Sequence, residues 1–184
     1  MTGRSGPARP PELISEEAIR DRVDELAARI SHDYRERLVD GGDLLLVGVL
    51  RGAFIFLSDL SRRLTVPCAV DFIAVSSYED GATAGEVRLV LDVRATLRDR
   101  HVLVVEDIVD TGWTLDYLLR TFRAREPASL AACALVRKPG RAEVDVPVDY
   151  LGFDIPDAWV VGYGLDYADR HRTLPYIGSV EPEG

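Results

Sequence analysis

Three carboxylates, Glu106, Asp107 and Asp110, crowd into the stretch HVLVVEDIVDTGWTL at residues 101–115, and Thr111, Gly112 and Thr114 follow at once. The two sets of residues do opposite chemistry. A glycine that lets backbone come close, hydroxyls, and a helix N-terminus with free N–H groups make a cradle for phosphate. The carboxylates cannot touch that phosphate. They must hold hydroxyls, a metal, or a proton in transit. Donors for an anion set beside acids suit a sugar phosphate, whose phosphate and hydroxyls point different ways.

Other chemistries make competing demands on the same residues. An apolar strand ending in two acids also holds Mg²⁺ in ATPases, but that reading needs a glycine-rich loop ending in Gly-Lys-Ser/Thr, and the chain has none. The dinucleotide fingerprint is absent too, because Gly162-Tyr163-Gly164 lacks a third glycine and no long helix follows it. The plainest alternative makes Asp110 a helix cap and leaves the other acids in solvent. A second residue stands out by its rarity. Of 22 basic residues only Lys138 is a lysine.

The elements that must position these residues follow from hydrophobic periodicity. From Ser15 to Leu38 the apolar positions Ile19, Val23, Leu26, Ile30 and Tyr34 recur at helical steps, with Ser15 as N-cap and Gly41-Gly42 as a stop. Apolar runs too short for helices occupy 44–50, 66–75, 87–93, 102–105, 129–136 and 158–161, with helical patterns at 53–64 and 114–125. Continuous rather than alternating strands, interleaved with helices, predict an α/β domain with a mostly parallel sheet covered on both faces. Such sheets bind ligands beyond the carboxyl ends of their strands. Residues 51–52, 76–85, 106–114, 138–141 and 162–166 should therefore gather there, and 79–85, acidic and without an apolar anchor, should be a mobile loop. Residues 1–14 read as a flexible tail before a single domain at 15–184.

Composition bounds the rest. The chain has 184 residues, 47% hydrophobic and 29% charged, the balance of one globular domain. Its formal net charge of −9 disfavours nucleic acid as a partner. No apolar run is long enough to cross a bilayer and nothing near Met1 resembles a signal peptide, so a cytoplasmic location is expected. Cys68 and Cys133 lie apart without ligand spacing and read as buried free thiols. His32, His101 and His171 share no ligand spacing either.

The segment VLVVEDIVDTG resembles the signature loop of type I phosphoribosyltransferases, which use phosphoribosyl pyrophosphate (PRPP). VGVLRGAFIF at 47–56, SSYEDGATAGEVRL at 76–89, LVRKPGR at 135–141 and LGFDIPDAWVVGYGLDYADRHRTLPYIG at 151–178 are similar to the bacterial hypoxanthine and hypoxanthine-guanine branch. The likeness covers nearly the whole chain from about residue 14. It implies a parallel sheet flanked by helices, with a small hood and a mobile loop. It also implies purine salvage: PRPP plus hypoxanthine or guanine gives IMP or GMP and pyrophosphate, with Mg²⁺, in a homodimer or homotetramer.

Roles follow from the same resemblance. Glu106 and Asp107 would face the ribose hydroxyls and their Mg²⁺, and Asp110 would be the general base beside the purine N7. Residues 110–114, with Ile108 and Val109 leading into them, would wrap the 5′-phosphate. Arg51, Gly52 and Arg172 would grip pyrophosphate, on a peptide after Leu50 expected to be cis. Ser77 and Tyr78 would close over the site. Lys138 would donate to the purine O6, Trp159 would stack on the ring, and the Val160 backbone would bond the base. Asp166 would ligate a second Mg²⁺, and its neighbourhood would also border the base. Trp113 fills a variable position of the phosphate loop, turned against either the ribose phosphate or the neighbouring helix. Trp159 could instead pack in the core, Asp166 could cap a helix at 167–173, and Arg62-Arg63 could simply complement a helix dipole. A regulator that keeps this fold but binds RNA would need a basic face, which the charge does not supply.

Overall fold

Two neighbouring strands show how the chain builds its centre. In β2 (Leu44–Leu50), Leu44 and Leu46 join one hydrophobic cluster while Leu45, Val47 and Val49 join another. In β5 (His101–Val109), Leu103 and Val105 go with the first, and Val102 and Val104 with the second. Successive side chains of a strand point to opposite faces, so an uninterrupted apolar run demands cover on both. Helices α1 (Glu16–Arg35) and α2 (Phe54–Ser61) cover one face through residues such as Val23, Ile30, Phe56 and Leu60. Helix α3 (Trp113–Arg123) covers the other through Leu115, Leu118 and Phe122. Each fully buried side chain of this size contributes ~1.5–3 kcal/mol.

The computed structural model describes residues 9–38, 41–77 and 87–181. With β3 (Cys68–Ser77), β4 (Val87–Leu91), β6 (Ser129–Arg137) and β7 (Tyr150–Asp154), the main sheet runs β4-β3-β2-β5-β6-β7. Every pair is parallel except β3 with β4. Cover is incomplete near that outer pair, where Val70, Phe72, Val90 and Leu91 are exposed. Among the described residues no helix is long and apolar enough to cross a membrane.

Local signals explain the helix ends. Ser15 Oγ accepts from the Ala18 N–H at 3.1 Å, the expected N-cap of α1. The helix stops at Arg35, short of the two glycines. At the end of α2, Arg62 Nε and Arg63 Nη1 donate to the carbonyls of Ser58 and Asp59, which accounts for both cations without a ligand.

Two expectations need correction. The stretch before Ser15 is not all loose tail, since β1 (Glu12–Ile14) pairs antiparallel with β9 (Ile177–Val180), which in turn pairs with β8 (Trp159–Val161). This three-stranded sheet is the small hood. No helix forms at 167–173 either; turns fill that stretch, with Ala168, Asp169 and His171 at positive φ.

Candidate active site

The β2–β5 ladder ends at Gly48 opposite Val105, while β5 stays paired with β6 as far as Val109 opposite Arg137. Glu106 to Val109 therefore form a strand end with one side released from the sheet, beside the turn after β2. That release creates the site. Glu106 is buried and its Oε2 has no hydrogen-bond partner. Burial, then the charge of Asp107, pushes the Glu106 carboxyl well above the usual range. Burial also raises Asp107, against the opposing pull of Glu106 and the Ile108 N–H, which donates to its Oδ1 at 2.9 Å. A side chain at Gly52 would put its Cβ 1.5 Å from Asp107 Oδ2, so only glycine lets the turn after β2 lie against this carboxylate.

From Asp110 the chain turns into α3 through Gly112, whose φ is +93°. A Cβ there would lie 2.6 Å from the Val144 carbonyl. No side chain caps α3, so its first N–H groups remain open donors. This disposes of Asp110 as a helix cap. A cleft of about 210 Å³ lies at this end, lined by Glu106, Ile108, Val109, Asp110, Thr111, Gly112, Thr114 and Leu115. It has the size and donors for a phosphate. Trp113 is not in its wall: Nε1 donates to Glu143 Oε2 at 2.9 Å, and the ring borders a separate surface groove with Asp116 and Tyr117. Trp113 thus turns away from the phosphate cradle.

Lys138 follows β6 and is buried. Its Nζ lies 3.7 Å from Asp110 Oδ2 and 3.7 Å from Asp157 Oδ1, and 6.0 Å from the centre of the Trp159 ring. Arg141 Nε donates to Asp110 Oδ1 at 3.0 Å. Asp110, then Asp157, holds the Arg141 guanidinium above its ordinary value. Trp159 is 57% exposed, which excludes core packing, and meets Tyr167 edge-on at 5.8 Å. Val160 sits in β8 with its side chain in the core, opposite Ser179.

On the other side, the Leu50–Arg51 peptide is cis, as expected. Gly164, at φ +104°, would place a Cβ 2.0 Å from the Gly52 carbonyl, so the hood loop rests directly on that turn. Arg172 donates to the Gly164 carbonyl at 2.9 Å and pairs with Asp166 at 2.8 Å and Asp169 at 3.0 Å. Asp166 also accepts from the Asp169 N–H at 2.7 Å, capping a turn rather than a helix. Ser77 ends β3, whereas Tyr78 and the loop 79–85 lie outside the described residues. No group of three or more His, Cys, Asp or Glu that could hold a metal occurs among the described residues. The unpartnered oxygen of Glu106 beside Asp107 nonetheless fits a cation that brings its other ligands from a substrate, as Mg²⁺ commonly does.

An acid pair, an open helix N-terminus and a buried lysine thus converge at the carboxyl edge of one mostly parallel sheet. Residues 12–168 match the phosphoribosyl transferase domain family. The chain belongs to that family. It is 48% identical over 169 residues to the hypoxanthine phosphoribosyltransferase of Haemophilus influenzae, covering 91% of this chain and 93% of that protein. It is 46% identical over 172 residues to the hypoxanthine-guanine phosphoribosyltransferase of Mycobacterium tuberculosis, covering 92% and 85%. Among solved structures, the Trypanosoma cruzi hypoxanthine phosphoribosyltransferase in complex with the product IMP superimposes with a TM-score of 0.89. Identity there is 41%, over 96% of this chain and 98% of that one. The phosphoribosyltransferase fold expected from the signature loop is the fold observed.

Three polar residues of the site, Arg141, Asp157 and Asp169, lie inside the segments that carry the resemblance but are given no role of their own by it. Each stands close to a residue that is. Arg141 lies three residues after Lys138, Asp157 two before Trp159, and Asp169 three after Asp166.

Proposed function

We propose that this phosphoribosyltransferase serves purine salvage, moving the 5-phosphoribosyl group of PRPP to hypoxanthine and to guanine to give IMP or GMP and pyrophosphate. The observation that carries the reading is Lys138. The chain's single lysine is buried beside an exposed tryptophan, 3.7 Å from Asp110, the acid just ahead of the proposed phosphate cradle. An ammonium in that place can only donate, so it suits the 6-oxo group of hypoxanthine or guanine and not the 6-amino group of adenine.

The residues divide the work. The open N–H groups at the start of α3 and the hydroxyls of Thr111 and Thr114 hold the 5′-phosphate, with Ile108 and Val109 as the floor. Glu106 and Asp107 face the ribose hydroxyls. Asp110 takes the purine N7 proton on a carboxylate oxygen, released from Arg141 and Lys138 as the base draws the lysine to O6. Trp159 stacks on the ring, and the backbone around Val160 and Asp166 borders the base. Arg51, Gly52 and Arg172 receive pyrophosphate, and Ser77 and Tyr78 close over the reacting centre to exclude water. Glu106 and Asp107 would hold one Mg²⁺ and Asp166 a second, supplying positive charge that stabilises the departing pyrophosphate. A cytoplasmic homodimer or homotetramer completes the reading.

The test is direct. Purified protein is given PRPP, Mg²⁺ and each purine in turn, and nucleotide is measured. Hypoxanthine and guanine should react, adenine poorly, and excess chelator should abolish turnover. Comparable rates with adenine and hypoxanthine, or full turnover in chelator, would refute the reading.

A further inference from the structure

The arginines on the pyrophosphate side are already engaged by a carboxylate of the chain. Asp169 Oδ1 accepts from Arg51 Nη2 at 2.6 Å and from Arg172 Nη2 at 3.0 Å. Both guanidiniums therefore converge on one oxygen, as they would on an oxygen of a phosphate. Asp169 reaches this position from a tight turn. Its own φ is +59°, and Ala168 and His171 are also left-handed, at +51° and +71°. Its N–H donates to Asp166 Oδ2 at 2.7 Å, which fixes the turn. Nothing in the roles assigned above requires an acid here. An acid repels the heavily charged group that Arg51 and Arg172 are there to receive.

We propose that Asp169 is an internal occupant of the pyrophosphate subsite, a positioning residue that holds Arg51 and Arg172 together until polyphosphate displaces it. The inference rests on the reading of this site as one that binds PRPP. Arg172 is also held by Asp166 and the Gly164 carbonyl, but Arg51 would be repelled by it without an anion between them, and the Asp169 carboxylate keeps the two convergent. It carries one negative charge, where pyrophosphate carries several, so the incoming ligand wins. The Arg51 and Asp169 side chains are 68% and 63% exposed, and an ion pair so open to water is weak and readily exchanged. After transfer, the same carboxylate competes with product pyrophosphate for the arginines and favours its departure. A nucleoside monophosphate, which has no group at this end, should not sense Asp169.

Asp169→Asn tests this in the full-length enzyme, because asparagine tolerates a left-handed backbone and keeps the N–H that fixes the turn. Binding of pyrophosphate with Mg²⁺, and separately of IMP, is measured by titration calorimetry. PRPP turnover is followed alongside. Removing the exposed pairing to Arg51 and the partly buried one to Arg172 should tighten pyrophosphate and lower KM for PRPP by about two- to tenfold. The Kd for IMP should stay unchanged, and kcat should fall if pyrophosphate release limits it. Asp169→Gly, which also accepts positive φ, should shift pyrophosphate in the same direction. Unchanged or weaker pyrophosphate binding in both variants would overturn the proposal, the weaker result making Asp169 an aid to the ligand and not its competitor. A wild-type protein that binds neither PRPP nor pyrophosphate would instead sink the underlying assignment of the site, whatever the variants do.

Discussion

Lys138→Arg keeps the charge and removes the shape. The wild-type Nζ sits 3.7 Å from one oxygen of Asp110 and 3.7 Å from one of Asp157, with the side chain 8% exposed. A wider head at this position has to reach beyond the space the ammonium fills. A guanidinium is longer, planar and forked, and two carboxylates at this spacing offer it a better match than a single carbonyl does. The arginine should bridge Asp110 and Asp157 and lie where the purine's six-membered ring belongs. The purine O6 then loses its donor inside a closed pocket, a loss of ~1–3 kcal/mol, or about 5- to 150-fold in kcat/KM for hypoxanthine. KM for PRPP should hardly move, since the Lys138 ammonium meets the wall of the phosphate cleft only through the Asp110 carboxylate and not through its open N–H donors. Steady-state rates with each substrate varied separately give both numbers. A second arm exploits the residue's rarity: an amine-selective reagent can modify only Lys138 and the chain's amino terminus. IMP should shield Lys138, and ribose 5-phosphate, which leaves the base pocket empty, should shield it far less. An Arg variant as active as wild type, with labelling indifferent to IMP, would place this lysine outside the base site.

Asp110→Asn retains size and hydrogen bonding but not the proton acceptor, so kcat should fall by ~10²–10⁴ with little change in PRPP binding; collapse of binding with kcat preserved would assign Asp110 to the phosphate instead. Gly112→Ala should destabilise the chain, because φ is +93° and the new Cβ would lie 2.6 Å from the Val144 carbonyl. A left-handed non-glycine costs ~1–2 kcal/mol, which is about 2–8 °C in Tm for a domain of this size, and an unchanged melting curve would contradict that geometry. Glu106→Gln bears on pH. A carboxyl raised by burial and by Asp107 contributes stability that is complete below the ordinary carboxylate range and lost as pH climbs through the raised value. In the absence of substrate, the variant should therefore gain on wild type in Tm as pH goes from about 4 to 8, and a constant difference across that window would remove the buried-acid explanation.

The strands and helices that carry their own periodicity were legible in the residues alone. The run 44–50 is β2 to the residue, and Ser15 caps α1, because burial on both faces and an N-cap hydroxyl are local demands. The turn at Gly112 was legible for the same reason: Gly112 and the residues around it form one continuous turn into a helix. Three strands escaped notice. β1, β7 and β9 have three to five residues, too few to show a period, and they exist only because partners lie alongside them.

Glu106 and Asp107 are named by the sequence, yet their place at a strand end released from the sheet follows from where β2 stops pairing, which is a property of the sheet. Asp166 looked able to start a helix and instead holds a turn, because Arg172 and the Asp169 N–H take up its oxygens. Arg141 reaches Asp110 across 31 positions and Arg51 reaches Asp169 across 118, separations over which no spacing rule operates. The amino-acid sequence determined the longer strands and helices, the turn into α3 and the residue types available for chemistry, since hydrophobic period, capping and turn formation act within a few residues. Only the tertiary structure decided which loops meet at the carboxyl edge of the sheet, and so which charges face one another, because side chains distant in sequence interact only once the packed strands have set their positions.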